Sequence, residues 1–376
     1  MIRFQRPEIP PAAAIEAYYH RAEDARWYSN FGPCHTLLEE RLEAYVGRGM
    51  HVVPLANCTL ALMLGLRVLT ADRRGDEVLM PSFTFAATAG AAVWAGLRPV
   101  FVDVDPETWM LDPAALRRAL QVRRDRVACV LACSTFGTPP RKETAAAWTA
   151  AVADAGVPLL VDSAAGFGAR DADGLPLGAL GDMEVFSLHA TKPFGIGEGG
   201  LACTADADRA AALRRLANFG FEDGMVTDAI GLNAKLAEWP AATALAVLDR
   251  LEAILGARRT HVDALREALQ PAGLEFQASD GQSTWQFLPT VAADAAARNV
   301  VRDSAIAAGV EVRTYFDPPL HQMPAFAGML RADELAVTTD LSSRVLSLPM
   351  ANDLTPDEIG TIIAAVGAAL REVALP

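Results

Sequence analysis

Lysine is scarce in this sequence of 376 residues. Lys142, Lys192 and Lys235 are its three lysines, and the other 30 of the 33 basic residues are arginines. Any chemistry that requires a lysine amine therefore has three candidates. Basic residues are also outnumbered by acidic ones, since 33 Lys and Arg against 46 Asp and Glu give a net charge of −13. A protein that binds nucleic acid needs a basic face for the phosphates, so this balance argues against a nucleic acid partner.

Cysteine is rare as well. Five cysteines scattered over so long a chain are typical of reduced thiols, and they predict a cytoplasmic protein. Cys129 and Cys133 lie in the apolar run CVLAC without a second Cys/His pair nearby. The sequence therefore predicts buried strand cysteines at these positions and no metal site.

Long apolar segments are missing too. The opening residues MIRFQRPEIPPAA lack the apolar stretch of a secretory signal. The longest uncharged run, residues 78–97, contains Pro81 together with several hydroxyl and small residues. We expect it to form a buried strand end followed by a small-residue helix, not a membrane span. An apolar fraction of 52% with 21% charged residues indicates a folded globular chain.

Strand and helix patterns alternate along the first two thirds of the chain. Runs such as HVVPLA, DEVLMPS, RPVFVDVD, RVACVLACS and VPLLVDSA are separated by helical stretches. This alternation predicts a mixed, mostly parallel sheet covered on both faces. From about Leu236 a single long helical pattern continues through Ile254, and a final helix is expected from Pro356. We predict a large α/β domain over residues 1–250, with an N-terminal arm over residues 1–26, and a smaller C-terminal α+β domain over residues 251–376.

Two residues at strand ends point to a cofactor. Asp162 ends the strand VPLLVD, and Lys192 follows the strand EVFSLHA and precedes a glycine-rich turn. Taken singly, Lys192 fits an exposed lysine and Asp162 fits a helix cap. Together they match pyridoxal phosphate, which needs a lysine for its covalent link and a carboxylate against its ring nitrogen.

That cofactor also needs an anion site and an aromatic face. The segment Asn57–Thr59 stands where a strand ends and a helix begins, and a helix N-terminus favours a phosphate. An N-cap without a ligand is the alternative for this segment. Ser187 could add a hydroxyl to the same phosphate, and Phe85 in PSFTFAAT could cover the ring. The run GIGEGG leads into a strand and not a helix, which excludes a dinucleotide fingerprint.

At this point the sequence resembles the DegT/StrS-type sugar-nucleotide aminotransferases, pyridoxal-phosphate enzymes of the aspartate aminotransferase fold. The resemblance covers nearly the whole chain. It is carried by the motifs WYSNFGP, NCTLAL, GDEVLMPSFTFAAT, RPVFVDVDPETWMLDP, VDSAAGFGA, FSLHATKPFGIGEGG, GLNAKLAE and RTYFDPPLH.

The resemblance implies a role for each matching residue. Lys192 would form the internal aldimine, and Asp162 would pair with the pyridinium nitrogen. Six residues would bind the cofactor in all: Cys58, Thr59, Phe85, Asp162, Ser187 and Asn233. Asn233 would reach the phosphate from a neighbouring subunit, which implies a homodimer with shared active sites. The residues expected on the substrate side are Asn30, Phe31, Lys235, Tyr315, Phe316 and His321.

The implied reaction moves an amino group from an amino acid, with glutamate as the expected donor, to a keto-sugar carried on a nucleotide. Three alternatives stay open: a cyclitol ketone or a free keto-sugar as the acceptor, a regulatory protein with the cofactor retained or lost, and another pyridoxal reaction such as cysteine desulfuration. The sequence departs from the family at Ala165, where many members carry Gln or His against the cofactor. We expect either looser cofactor binding or another side chain in that place.

Overall fold

The computed structural model describes residues 1–222, 226–227 and 229–373. Within these residues the helices are α1 (Ala12–Ala25), α2 (Pro33–Val46), α3 (Cys58–Leu69), α4 (Ala86–Trp94), α5 (Pro113–Arg123), α6 (Lys142–Ala155), α7 (Ala207–Ala217), α8 (Glu238–Leu248), α9 (Leu251–Leu269), α10 (Ala295–Ala307), α11 (Ala336–Arg344) and α12 (Pro356–Val373). The strands are β1 (His51–Leu55), β2 (Glu77–Pro81), β3 (Arg98–Val102), β4 (Val127–Cys133), β5 (Leu159–Asp162), β6 (Met183–Ser187), β7 (Gly200–Thr204), β8 (Glu275–Phe276), β9 (Leu288–Val291), β10 (Leu330–Arg331) and β11 (Val345–Leu348).

Eight strands form one large sheet in the order β1-β7-β6-β5-β4-β2-β3-β10. Strand β7 runs antiparallel to its neighbours β1 and β6, and the other neighbouring pairs are parallel. The predicted mixed, mostly parallel sheet is therefore confirmed. Strand β4 shows why its sequence is apolar throughout: Cys129 and Leu131 pack with α3 and α4, whereas Val130 and Ala132 pack with α5 and α6. Helices cover both faces, so both sets of alternating side chains are buried.

A second, three-stranded antiparallel sheet has the order β11-β9-β8. Its core includes residues of α10 and α12 and also takes in the chain start, since Ile2 and Phe4 are buried there. Helix α9 contributes to two cores, with Leu251 in the core beside the large sheet and Leu265 in the core of the small one. The division into residues 1–250 and 251–376 stays a prediction.

The single long helix expected from Leu236 is wrong. Helix α8 ends at Leu248, and α9 begins at Leu251 after Asp249 and Arg250. The interruption lies at a polar cluster, because the Asp249 carboxylate accepts hydrogen bonds from the Tyr18 hydroxyl at 2.7 Å and the Arg41 guanidinium at 2.9 Å. Apolar periodicity alone did not reveal this break.

The uncharged run over residues 78–97 contains most of β2 and all of α4, as expected. Within the described part of the chain, no helix is long and apolar enough to cross a membrane. Cys129 and Cys133 lie in β4 and are buried, as their apolar setting predicts.

Candidate active site

A cavity of about 780 Å³ opens at the carboxyl edge of the large sheet, between that sheet and segments that include the residues just before β9. Asp162 and Ser187 are the last residues of β5 and β6, and Cys58 and Thr59 begin the helix that follows β1. These four residues and Lys192 line the cavity and are called the floor below. Ligands bind at this edge in open α/β sheets, and the volume is that of a small-molecule site.

Lys192 lies in the turn between β6 and β7, where its N–H donates to the His189 carbonyl at 2.8 Å. A Cβ at Gly195 would lie 2.8 Å from the Lys192 carbonyl oxygen, so a glycine is needed for this turn to close. Burial lowers the pKa of the Lys192 amine, against the opposing effects of Cys58 and Asp162. A larger neutral fraction makes the amine a better nucleophile and proton acceptor near pH 7.

The Asp162 carboxylate is 7% exposed and faces the cavity. It accepts hydrogen bonds from the Thr88 hydroxyl at 2.8 Å and the Ala164 N–H at 3.1 Å. Burial raises its pKa above the ordinary value, although these hydrogen bonds and Lys192 oppose the rise. Among the described residues Asp162 has no salt-bridge partner. A cationic ring nitrogen beside it would therefore stabilise the ionised carboxylate.

The start of α3 forms an anion site. Asn57 is the N-cap of this helix, and its side chain accepts from the Leu60 N–H at 2.9 Å. The N–H groups of Cys58 and Thr59 cannot bond within the helix, and the helix dipole favours negative charge there. A Cβ at Gly200 would lie 2.6 Å from the Cys58 nitrogen, so only glycine lets β7 approach this turn. Asn57 thus caps the helix and at the same time helps to shape a phosphate site.

Aromatic side chains cover the cavity from two sides. Phe85, the N-cap of α4, lines the cavity and is 62% exposed. Phe136 and Phe316 stack with ring centroids 5.1 Å apart, and Tyr315 packs against Phe287 at 5.6 Å. The structure thus brings Phe85, Tyr315 and Phe316 together around the floor, and their contacts with cofactor and substrate stay predictions.

His321 does not reach the cavity. Its Nδ1 lies 2.8 Å from the Ser82 hydroxyl and its Nε2 lies 3.3 Å from the Thr339 hydroxyl. The side chain is buried, and burial lowers the pKa of its imidazole. In this chain His321 therefore joins the segment after β2 to α11, and its predicted contact with substrate stays a prediction.

Four further predicted residues lie outside the cavity lining of this chain. Asn30 and Phe31 precede α2 in left-handed conformations, and Phe31 packs edge-on against His35 at 5.2 Å. The Lys235 amine donates to the Asn233 side-chain oxygen at 2.8 Å and lies over the Phe219 ring. Neither pair contacts the floor.

Several side chains that sequence patterns did not indicate also line the cavity, among them Gln5 and Gln286. Gln5 comes from the chain start, and Gln286 precedes β9 and accepts a hydrogen bond from the Lys192 amine at 2.9 Å. No motif signals either residue, because each reaches the cavity only through tertiary packing. Thr88 was also missed, although it lies within the quoted motif PSFTFAAT. At position 165, where many family members carry Gln or His, this chain lines the cavity with the Ala165 methyl group. The polar side chain that contacts Lys192 is Gln286.

The thiols do not support desulfuration chemistry. Cys203 is buried in β7, and burial raises its pKa well above the ordinary value. Cys58 lines the cavity from a helix start, and burial raises its pKa too. Neither is a thiolate on a loop.

The residues present fit pyridoxal phosphate. The floor offers an amine for a covalent link, a buried carboxylate without a salt-bridge partner among the described residues, and a helix start that glycine leaves open for a phosphate. Fold and floor together define a pyridoxal-phosphate-dependent transferase of the aspartate aminotransferase type.

Comparisons with known proteins narrow this class. The sequence profile of the DegT/DnrJ/EryC1/StrS aminotransferase family matches residues 12–367. Protein Rv3402c of Mycobacterium tuberculosis is 37% identical over 97% of this chain and 89% of its own length. The structure of a putative PLP-dependent aminotransferase from Bacillus cereus superposes with a TM-score of 0.91, at 30% identity over 97% of this chain and 99% of that one. The chain belongs to the DegT/DnrJ/EryC1/StrS aminotransferase family and is a pyridoxal-phosphate-dependent aminotransferase.

Proposed function

We propose that this enzyme transfers an amino group from glutamate to a keto-sugar linked to a nucleoside diphosphate. The observation that carries the proposal is the floor itself, where Lys192, Asp162 and the α3 N-terminus meet in one cavity. The cavity continues past the floor to the aromatic side chains of Tyr315 and Phe316, which leaves room for an acceptor beside the cofactor.

Two relatives support a nucleotide-linked acceptor. A protein of Acidithiobacillus ferrooxidans named UDP-N-acetyl-3-dehydro-alpha-D-glucosamine 3-aminotransferase is 32% identical over 84% of this chain and 83% of its own length. The structure of DesI with its TDP-sugar product superposes with a TM-score of 0.88, at 36% identity over 99% of this chain and 93% of that one. One name contains a UDP-linked sugar and the other a TDP-linked sugar, so we propose the substrate class and no particular sugar.

Each floor residue has a task in such a transfer. Pyridoxal phosphate, when bound, supplies an electron sink for the carbon that loses a proton. The Lys192 Nζ would hold the cofactor covalently and, when free, would accept and return the proton that is moved. The Asp162 carboxylate would keep a proton on the ring nitrogen, and Ser187 with the α3 N-terminus would hold the phosphate. Phe85, which is exposed in the cavity, would cover the ring face and exclude water from it.

We further propose a homodimer in the cytoplasm whose two copies share each site. Asn233 and Lys235 do not line the cavity of their own chain, although their segment carries exposed apolar side chains such as Phe219 and Ile230. Apolar side chains grouped on a surface are typical of an interface. The five free cysteines accord with a reducing compartment.

A half-reaction panel tests the acceptor class. The enzyme in its amino-loaded form is mixed with nucleotide-linked keto-sugars, free keto-sugars and cyclitol ketones, and the loss of that form is followed by absorbance. We expect reaction with at least one nucleotide-linked keto-sugar and much slower reaction with the free ketones. Turnover of a cyclitol ketone with none of the nucleotide sugars would contradict the proposal. Binding of the cofactor without any half-reaction would favour a regulatory protein.

Subunit mixing tests the shared site. Lys192→Ala and Asn233→Ala are each expected to impair the enzyme. When the two variants are mixed and exchange subunits at random, one site in each mixed dimer has both native residues. About a quarter of all active sites should then be intact. Recovery of activity on mixing supports the shared site. If the mixture is no more active than its components, Asn233 acts within its own chain.

A further inference from the structure

Gln286 contacts the reactive lysine directly. The Lys192 Nζ donates a hydrogen bond to the Gln286 side-chain oxygen at 2.9 Å. Gln286 is 7% exposed and lines the cavity, although it lies 94 residues further along the chain. The contact therefore joins the floor to the segment that leads into β9.

The Gln286 amide is fixed in one orientation. Its side-chain nitrogen donates to the Thr191 hydroxyl at 3.2 Å, which leaves the oxygen to face Lys192. Its main chain is held as well, because Arg258, 4% exposed, donates to the carbonyl oxygens of Trp285 at 2.7 Å and Gln286 at 3.2 Å. Arg258 is fixed in turn by the Asn352 side-chain oxygen at 2.7 Å. A buried acceptor held from both ends is preorganised for its donor.

We propose that Gln286 is a positioning residue that holds the free amine of Lys192 in place whenever the lysine is not covalently engaged. A lysine side chain has much rotamer freedom, and a released amine in a cavity of this size could turn away from the reacting atoms. A neutral amide oxygen accepts from the amine whether it is charged or neutral, so it holds Lys192 before and after the amine takes up a proton. The proposal rests on the role of Lys192 in transamination and not on the identity of the acceptor.

A charged acceptor in the same place would act differently. A carboxylate beside Nζ would favour the ammonium form and oppose the effect of burial on the Lys192 pKa. Glutamine supplies the hydrogen bond and leaves the amine able to attack a carbonyl. This difference makes Gln286→Leu and Gln286→Glu opposite probes of one contact.

The scarcity of lysine makes the test direct. Full-length protein labelled with ¹³C at lysine Cε gives three signals, from Lys142, Lys192 and Lys235, which Lys→Arg variants assign. We titrate them in the cofactor-free chain. Gln286→Leu is expected to lower the Lys192 midpoint by about one pH unit and Gln286→Glu to raise it by about as much. The signals of Lys142 and Lys235 serve as internal references and should not move.

A second glutamine provides the matched control. Gln277 is buried and directly follows β8 of the small sheet. Its side-chain amide donates to the Thr108 carbonyl at 2.7 Å and does not hydrogen-bond to Lys192. Gln277→Leu should leave the Lys192 titration unchanged even if it lowers the melting temperature. In the holoenzyme we expect Gln286→Leu to lower kcat about 10²-fold, with the acceptor KM nearly unchanged. The pH profile of kcat should shift with the Lys192 midpoint.

The outcomes are distinct. Equal Lys192 midpoints in the wild type, Gln286→Leu and Gln286→Glu would overturn the proposal, whatever happens to activity. If Gln286→Leu does not fold, two other variants test the proposal by the same titration. Gln286→Glu keeps the size of the side chain, and Thr191→Val removes the hydrogen bond that orients the Gln286 amide. A Lys192 shift in an enzyme that rejects every nucleotide sugar would uphold Gln286 and refute only the acceptor class.

Discussion

The two sides of the cavity are built in different ways. The floor consists of residues that end a strand, such as Asp162 and Ser187, or that lie in the turn or helix start after one, such as Lys192 and Cys58. The opposite side, called the wall here, consists of Gln5, Gln286, Phe287, Tyr315 and Phe316, and it comes from connecting segments and the chain start. Strand ends have fixed positions because the sheet is hydrogen-bonded along its length, whereas the wall depends on how the small sheet packs. We therefore expect the chemistry common to the fold on the floor, supported from the wall by Gln286, and the choice of substrate at Tyr315 and Phe316 of the wall.

The first way to break this comparison is to remove the floor's buried charge. Asp162→Asn should lower kcat about 10²-fold or more, because the ring nitrogen loses its anionic partner. The Ala164 N–H can still bond the amide oxygen, and the Thr88 hydroxyl can accept from the amide NH2, so the fold should persist. Steady-state kinetics and a thermal melt measure both effects.

Glu198 supplies the control for that experiment. It lines the same cavity, but its side chain is largely exposed. Glu198→Gln should change kcat by less than about tenfold, since exposed charges are screened by water. Equal losses in the two variants would show that the cavity responds to its total charge and not to the carboxylate at the end of β5.

The phosphate side of the floor gives the next effect. Ser187→Ala should raise the Kd for pyridoxal phosphate about tenfold, the usual cost of one hydrogen bond to a charged group, and leave kcat nearly unchanged at saturating cofactor. Ser187→Thr keeps the hydroxyl and should bind more tightly than the alanine variant. Equal Kd values for the two variants would remove Ser187 from the phosphate site. Equilibrium dialysis of the cofactor provides the measurement.

A change at Tyr315 of the wall should affect acceptor binding and leave cofactor binding unchanged. Tyr315→Phe removes only a hydroxyl at the cavity, so the packing against Phe4 and Phe287 is kept. We expect the acceptor KM to rise several-fold, up to about tenfold, while the cofactor Kd stays the same. A changed cofactor Kd with an unchanged acceptor KM would mean that the wall and the floor do not divide these tasks.

The smallest effect on turnover is expected from a change at Glu184, which lies outside the cavity lining. Glu184 lies in β6, and its carboxylate accepts from the Ser163 hydroxyl at 2.5 Å and the Gly178 N–H at 2.7 Å. Burial raises its pKa to about 7. The folded chain therefore binds more protons than the unfolded chain between the ordinary glutamate pKa and pH 7, so this contribution to stability falls as the pH rises through that range.

Glu184→Gln should remove this dependence, which amounts to about 3 kcal/mol at most. The free energy of unfolding, measured with denaturant, should fall more between pH 5 and pH 8 in the wild type than in the variant. The two proteins should have similar kcat. Identical pH dependence would mean that Glu184 titrates at an ordinary pKa.

The division between floor and wall also explains what the sequence could reveal. Strand patterns locate strand ends, and a parallel sheet gathers those ends at one edge, so the amino-acid pattern alone is enough to pair Asp162 with Lys192. Tyr315 and Phe316 were found through family resemblance alone. Gln5 and Gln286 were not found, because their positions depend on contacts such as the bridge of Ile2 to Val310 and the hold of Arg258 on residues 285–286. Local pattern does not encode such long-range packing.

The break between α8 and α9 was missed for a related reason. Apolar residues continue across Asp249 and Arg250 at helical spacing, and the polar partners of Asp249 lie more than 200 residues away. The roles that we propose for Asn233 and Lys235 would depend on a second copy of the chain, which a single chain does not reveal.

The covalent link to the cofactor is the central claim, and one measurement tests it most directly. The holoenzyme is reduced with borohydride and digested, and the modified peptide is identified by mass spectrometry. With three lysines in the chain, the result is unambiguous. We predict that the cofactor is fixed to Lys192 alone. Fixation to Lys142 or Lys235, or a colourless chain that takes up no pyridoxal phosphate, would contradict the assignment of the active site.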